Sequence, residues 1–374
     1  MNLGKVISLF IAAIVAGNVN LSSAAEKNKE EVKPVNTIVL DKNDKANTKF
    51  EANKLLFMTS KDDDSTLIFS DSPETVKENG ILYESQVKGD GRLLYYHLNE
   101  TGVGTKVAVI VENLTGKDNA VTISREATAG PSADYLYVGK TTLKRYFANQ
   151  EAKEIKLPPY GKALLNEEDG KRIVSNDGLV YGLFDFNAKR NVKMSVVMAP
   201  VDAYLTYYPN YSWVLPKDEQ RLRGTYKGAN RYMTTVNPYN PKMGRAYFYV
   251  GDNRTDLYKY GTDETDNSTT QNFGNYGVLY EINPKLSGVG RTSFYLKPIG
   301  GVYAGAISVR IGKDGEKKMV LTPDELPFYG HEANKNYYSY LGTYDNSDDI
   351  YFEYMAPGAS NLPVQFILIP EKAK

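Results

Sequence analysis

The feature that most constrains this chain is the strict alternation in residues 277–310. Val278, Tyr280 and Ile282 fall on one face, with Leu279 and Glu281 on the other. Thr292, Phe294 and Leu296 then oppose Ser293 and Tyr295, and Ile307, Val309 and Ile311 oppose Ser308 and Arg310. A period of two, carried by β-branched and aromatic residues and punctuated by glycine and proline, specifies antiparallel sheet rather than helix. The same grammar runs through the rest. Strands are expected at 80–84, 92–98, 107–112, 120–125, 179–186 and 192–198, and again at 231–236, 245–250, 277–282, 291–296, 302–311, 318–321, 350–355 and 364–369. Gly89, Asp90 and Gly91 read as a turn, and 179–186 with 192–198 as a closing hairpin. Only 135–147 reads as a short helix, with Thr141 or Thr142 as its N-cap.

The expected fold class is therefore all-β, with two β-sandwich-like domains at 50–200 and 224–374. The connector, 201–223, is aromatic and then charged, broken by Pro209 and Pro216, and is expected to pack through Trp213. The halves share a pattern. Residues 80–84 (GILYE) parallel 277–281 (GVLYE), a Gly-x-Gly-Arg turn follows each, and each half closes on an apolar strand ending in proline, at Pro200 and Pro370. A diverged duplication accounts for this, and so does convergence on a small strand alphabet.

Residues 1–25 have the form of a secretory signal peptide: Lys5, a mostly apolar stretch over 6–19, and the small residues Ser23, Ala24 and Ala25. No later stretch is long and apolar enough to span a bilayer as a helix. Residues 26–49 read as a polar spacer, relieved only by a short edge strand at 37–40. There is no cysteine, so the protein relies on its core rather than on disulfides. Basic and acidic residues balance at 45 each, and removing the leader tips the balance to one excess acid. Nucleic acid, which is bound through clustered basic charge, is an unsuitable main partner.

Phe69-Ser70-Asp71-Ser72-Pro73-Glu74, the stretch 80–84 and the closing Ser360-Asn361-Leu362-Pro363 give a limited resemblance. In these phrases the chain resembles uncharacterised secreted β-rich proteins of Gram-positive-type cell envelopes. The resemblance implies export and residence in the envelope or medium. It brings no catalytic residue, and neither a sortase-type LPxTG end nor wall-binding repeats are present.

The chemistry is sparse. His97 and His331 are isolated, and a zinc site needs three or four close ligands. No HExxH, G-x-S-x-G or phosphate-cradling glycine loop occurs. Carboxylates on strands, Glu84, Glu112, Asp185, Glu281 and Glu353, offer the pairing that a secreted glycoside hydrolase needs, although outward polar positions of a half-solvated sheet explain them equally. Two binding features stand out. Thirty tyrosines outnumber the 13 phenylalanines and the single tryptophan. The densest cluster is Tyr204, Tyr207, Tyr208, Tyr211 and Trp213, suited either to stacking on sugar rings or to packing a connector. The loop 252–266 is where a ligand is expected to bind if there is one: Asp252, Asp256, Asp263, Glu264 and Asp266 offer oxygens that calcium accepts, and Tyr258 and Tyr260 offer ring faces beside them, the alternative being a solvated or disordered loop. Asp62-Asp63-Asp64 and 345–349 are lesser acidic turns. The expected function is an exported, non-catalytic envelope or extracellular module with a structural or binding role, its partner a cell-wall or extracellular polysaccharide. No cofactor is expected beyond calcium.

Overall fold

The computed structural model describes residues 36–371, except Asn53, Asn149, Gln150, His331 and Ala333. The expected leader, the start of the spacer and His331 lie outside the described residues. Among those described, strands assemble into two six-stranded sheets and one of eleven. The all-β class expected from the alternation is what the chain adopts.

The two smaller sheets face each other. One runs in the order Thr37–Asp41, Lys335–Asp345, Arg291–Pro298, Val364–Pro370, Ala246–Val250, Lys54–Leu55. The other runs Lys318–Thr322, Gly305–Ile311, Ile350–Tyr354, Leu279–Asn283, Asn230–Thr235, Met58–Asp62. Their inner faces meet through rings: Phe248 stacks on Phe366 with centroids 5.1 Å apart, and Phe352 of the opposite sheet reaches Phe294 at 5.1 Å and Phe366 at 5.7 Å. Interleaved alternate side chains of this kind form a sandwich core. The short edge strand foreseen in the spacer is real, with Thr37 opposite Ser339.

The large sheet is built on two strands far longer than expected. Gly80–Asn99 and Leu179–Pro200 are each continuous and pair antiparallel. The turn expected at Gly89 to Gly91 is a bend inside a strand. Gly89 has φ of 84°, and a Cβ on Gly91 would stand 2.4 Å from the Phe186 ring, so glycine serves twist and close approach there. The hairpin expected between 186 and 192 is likewise a bulge between Ala188 and Val192. Before the bulge Leu179–Pro200 pairs with Asn119–Ser132, and after it with Thr105–Asn113. Leu93, Phe184 and Phe186 from one side of the bend share a core with Val109, Val111, Met194 and Val196 from the other, so the sheet wraps around its own apolar interior.

Pairing crosses the connector. Thr66–Ser70 lies parallel to Gly91–Tyr95 and antiparallel to Arg223–Lys227, which continues to Lys259–Asp263 and Ser268–Asn272. The strand Met58–Asp62 completes a sandwich sheet beside Asn230–Thr235. Segments 50–200 and 224–374 thus exchange strands, and Asn36–Lys374 is one compact unit. Arg92 reinforces the seam: it holds Asp185 at 2.6 Å and donates to the carbonyls of Ala229 (2.6 Å) and Gly277 (3.0 Å).

The helix Tyr135–Phe147 packs on Asn119–Ser132 and on Gly305–Ile311. Its cap is Asp134, which accepts the Tyr137 N–H at 2.9 Å, not Thr141 or Thr142. Thr142 returns its hydroxyl to Val138 O within the helix.

Candidate aromatic binding surface

Residues Leu205–Asn210 form a 3-10 helix. With three residues per turn, positions i and i+3 eclipse, so the segment has one buried and one exposed edge. Leu205 and Tyr208 point inward onto Ile81, Ala108, Ile110, Val197 and Ala199 of the large sheet. Tyr204 and Tyr207 point outward at 69% and 47% exposure, their rings stacked at 5.3 Å and 14°. Tyr211, also exposed, meets Tyr208 edge-on at 5.3 Å.

Trp213 does not pack the connector as the sequence suggested. Its backbone is pinned, with its carbonyl accepting the Ile81 N–H at 2.8 Å, but its ring is 58% exposed. The packing residue is Leu215, at 2% exposure. Proline follows at 216, and the alternation across the isolated bridge Ile81 to Val214 turns Leu215 inward.

A polar row borders this ledge. The Lys162 ammonium lies 5.8 Å from the Tyr207 ring centroid, 2.6 Å from Asn210 Oδ1 and 3.1 Å from Glu112 Oε2. Lys193 continues the row, 3.7 Å from Glu112 and 3.2 Å from Glu84, and Ser195 donates to Glu84 at 2.6 Å. Exposed ring faces beside fixed donors and acceptors suit a sugar, whose C–H face stacks while its hydroxyls hydrogen-bond. Lys162, Asn210 and Lys193 were missed in the sequence, because their place beside the tyrosines depends on strand pairing rather than spacing.

The acidic loop divides into two places. Asp252 caps a turn, accepting the N–H groups of Arg254, Thr255 and Asp256. Asp256 is buried, bonded to Arg231, to the Tyr280 hydroxyl (2.7 Å) and to the Gly251 N–H (2.7 Å). Asp263, Glu264 and Asp266 belong to the hairpin of Lys259–Asp263 and Ser268–Asn272. Asp263 holds Arg223 at 2.8 Å and Lys217 at 3.2 Å, Asp266 holds Lys217 at 2.6 Å, and Glu264 accepts from Ser85 and Gln86. Burial pushes Asp263 up, but the Thr265 hydroxyl and Arg223 outweigh it and keep the carboxyl below its usual range. Asp62 behaves alike, with Arg231 and Lys259 overcoming burial. Among the described residues no three histidines or carboxylates gather as a metal site. Tyr260 is 68% exposed, while Tyr258 is half-buried, edge-on to Phe273 at 6.1 Å.

The strand carboxylates are also committed to cations, as Asp185 to Arg92 shows. Arg310 sits between Glu281 (2.6 Å) and Glu353 (3.0 Å), and Lys317 reaches Glu353 at 2.7 Å. Glu353 is raised by burial but lowered further by Lys317, Arg125 and Arg310, so it stays ionised. His97 is fully buried. Its Nδ1–H donates to Pro73 O at 2.9 Å, so Nε2 accepts from the Ser70 hydroxyl at 2.9 Å.

A concavity of about 480 Å³ opens between the sandwich sheets, lined by Val309, Ile311, Lys318, Val320, Leu341 and Tyr344. It went unseen in the sequence because Lys335–Asp345, one of its walls, was not recognised as a strand.

No protein-family model matches the chain, and no curated protein matches it. A solved structure of oxalate decarboxylase, from work on its substrate binding mode and the chemical basis of a reaction specificity switch, aligns over 87% of this chain and 80% of that chain at 8% identity. Its TM-score is 0.11, too low to bear on fold or activity.

Proposed function

We propose that the protein is an exported, non-catalytic binding module that holds a cell-wall or extracellular polysaccharide on the ledge of Tyr204, Tyr207, Tyr211 and Trp213. The observation that carries this reading is the exposure of those four rings on and beside a 3-10 turn whose other edge is buried. A mobile loop would lose ordering entropy on binding that this anchored segment has already lost in folding. The polar row Lys162, Glu112, Lys193 and Glu84 supplies hydrogen-bonding groups beside the rings. Export rests on the form of residues 1–25. The competing hydrolase reading is disfavoured by the pairing of the strand carboxylates with arginine and lysine, since a general acid needs a proton near neutral pH.

Affinity electrophoresis through gels containing wall polysaccharides tests the reading. Retardation that is lost when Tyr204 and Tyr207 are both replaced by alanine supports it. Release of reducing sugar by the native chain, abolished by Glu353→Gln, would instead establish the hydrolase.

A further inference from the structure

The turn after Thr66–Ser70 carries two acids, Asp71 and Glu74, and the connector sets a third against them. Asp218 accepts the Ser72 hydroxyl and the Glu74 N–H, each at 2.8 Å, and its own N–H donates to Ser72 Oγ at 3.1 Å. The Asp71 N–H donates to Leu222 O at 3.0 Å, and Arg223 Nη1 to Ser72 O at 3.2 Å. Turn and connector are therefore fastened along residues 218–223.

Inside the fastening, Asp71 is 6% exposed and its Oδ1 has no hydrogen-bond partner. The Tyr181 hydroxyl, from the long strand Leu179–Pro200, is buried nearby and also lacks one. The other titratable groups facing the turn are Tyr96 and His97 from Gly80–Asn99, Tyr135 from the helix, Tyr226 from Arg223–Lys227, and Tyr276. None brings a positive charge at neutral pH. Arg223, the cation on this side, is committed through Nε to Asp263 and through Nη1 to three carbonyls. Burial first, and then the charges of Glu74 and Asp218, hold Asp71 well above the carboxylate range. Burial and Asp218 push Glu74 up to about 7.

We propose that this turn and the connector form a proton-held clasp, closed while Asp71 and Glu74 carry protons and released when they ionise against Asp218. A carboxyl raised in the folded state favours the closed form at low pH. That contribution is full below the ordinary carboxylate range and is lost as pH rises through the folded-state value, which for Glu74 is about 7. Release loosens residues 218–222, including the buried Leu222.

Hydrogen exchange of the full chain between pH 5.5 and 8.5, corrected for intrinsic exchange, tests this. The amides of Glu74 and Asp218, which cross the clasp, should lose protection about tenfold between pH 5.5 and 7, with little further loss from Glu74 above that, while those of Arg291–Pro298 keep theirs. Asp71→Asn combined with Glu74→Gln, isosteric with the two protonated acids, should retain protection. Flat native protection, a loss shared equally by Arg291–Pro298, or a loss that persists in the double variant each overturns the clasp. A carbon-detected titration of the native chain that finds Glu74 in the ordinary carboxylate range overturns it without any variant.

Discussion

Glu281 and Glu353 stand directly opposite each other on neighbouring antiparallel strands, and Arg310 bonds to both. Two like charges in register repel, so the arginine is what makes the pairing tolerable. Arg310→Met should leave Glu353 with Lys317 and the more distant Arg125, at 3.9 Å, and destabilise the fold by about 3 kcal/mol. Denaturant unfolding reads this as a lower midpoint at unchanged slope. A loss under about 0.5 kcal/mol would show the triad to be energetically idle.

Asp256 and Asp252 should separate sharply. Asp256→Asn removes the charge facing Arg231 and weakens its bonds to Tyr280 and Gly251, with an expected loss of about 2–4 kcal/mol. Asp252→Asn retains a side chain able to cap its turn and should change stability by less than about 0.5 kcal/mol. Equal effects in thermal or chemical melts would contradict the assignment.

Calcium should leave the melting temperature unchanged, because Asp256, Asp263 and Asp266 are already neutralised by Arg231, Arg223 and Lys217. A rise with millimolar calcium that disappears in Asp263→Ala with Asp266→Ala would restore the metal site.

His97 is lowered to about 4, chiefly by burial, with Arg223 adding to the depression. The buried ring is neutral, so stability is fully present above the unfolded value near 6.5 and falls as pH drops toward 4. Glu74 works in the opposite sense over part of that range, so the comparison belongs on the Glu74→Gln background. There, His97→Gln should remove about 3 kcal/mol of the acid-side loss between pH 7 and 4. An acid limb identical with and without His97 would contradict its burial as neutral imidazole.

Much of the fold was legible because alternation and burial coincide. Ile282, Phe294, Ile307 and Val309 are buried as their spacing requires. The long strands were not legible, since Gly89 and Gly91 look the same in a sequence whether they turn a chain or let a strand bend against Phe186. Lys259–Asp263 and Ser268–Asn272 were hidden by polar composition, their inward groups being Lys259, Asp263 and Asn272 rather than aliphatics. Of the candidate site, the tyrosines were visible by density, but which rings face outward was not. That choice follows from the 3-10 periodicity that buries Leu205 and Tyr208. The partners of the acidic loop were invisible for a simpler reason: Asp62 and Lys259 pair across 197 residues of chain.

The ledge itself is tested most directly by calorimetric titration of soluble wall-polysaccharide fragments into three chains: native, Tyr204→Ala with Tyr207→Ala, and Tyr258→Ala with Tyr260→Ala. The rings of the first pair are stacked and exposed beside Lys162, and truncating each ring should weaken binding by about 1 kcal/mol or more. The account predicts binding by the native chain, at least tenfold weaker binding by the first variant and unchanged binding by the second. No binding by a folded native chain, or equal affinity for the native chain and the Tyr204 and Tyr207 variant, would contradict it.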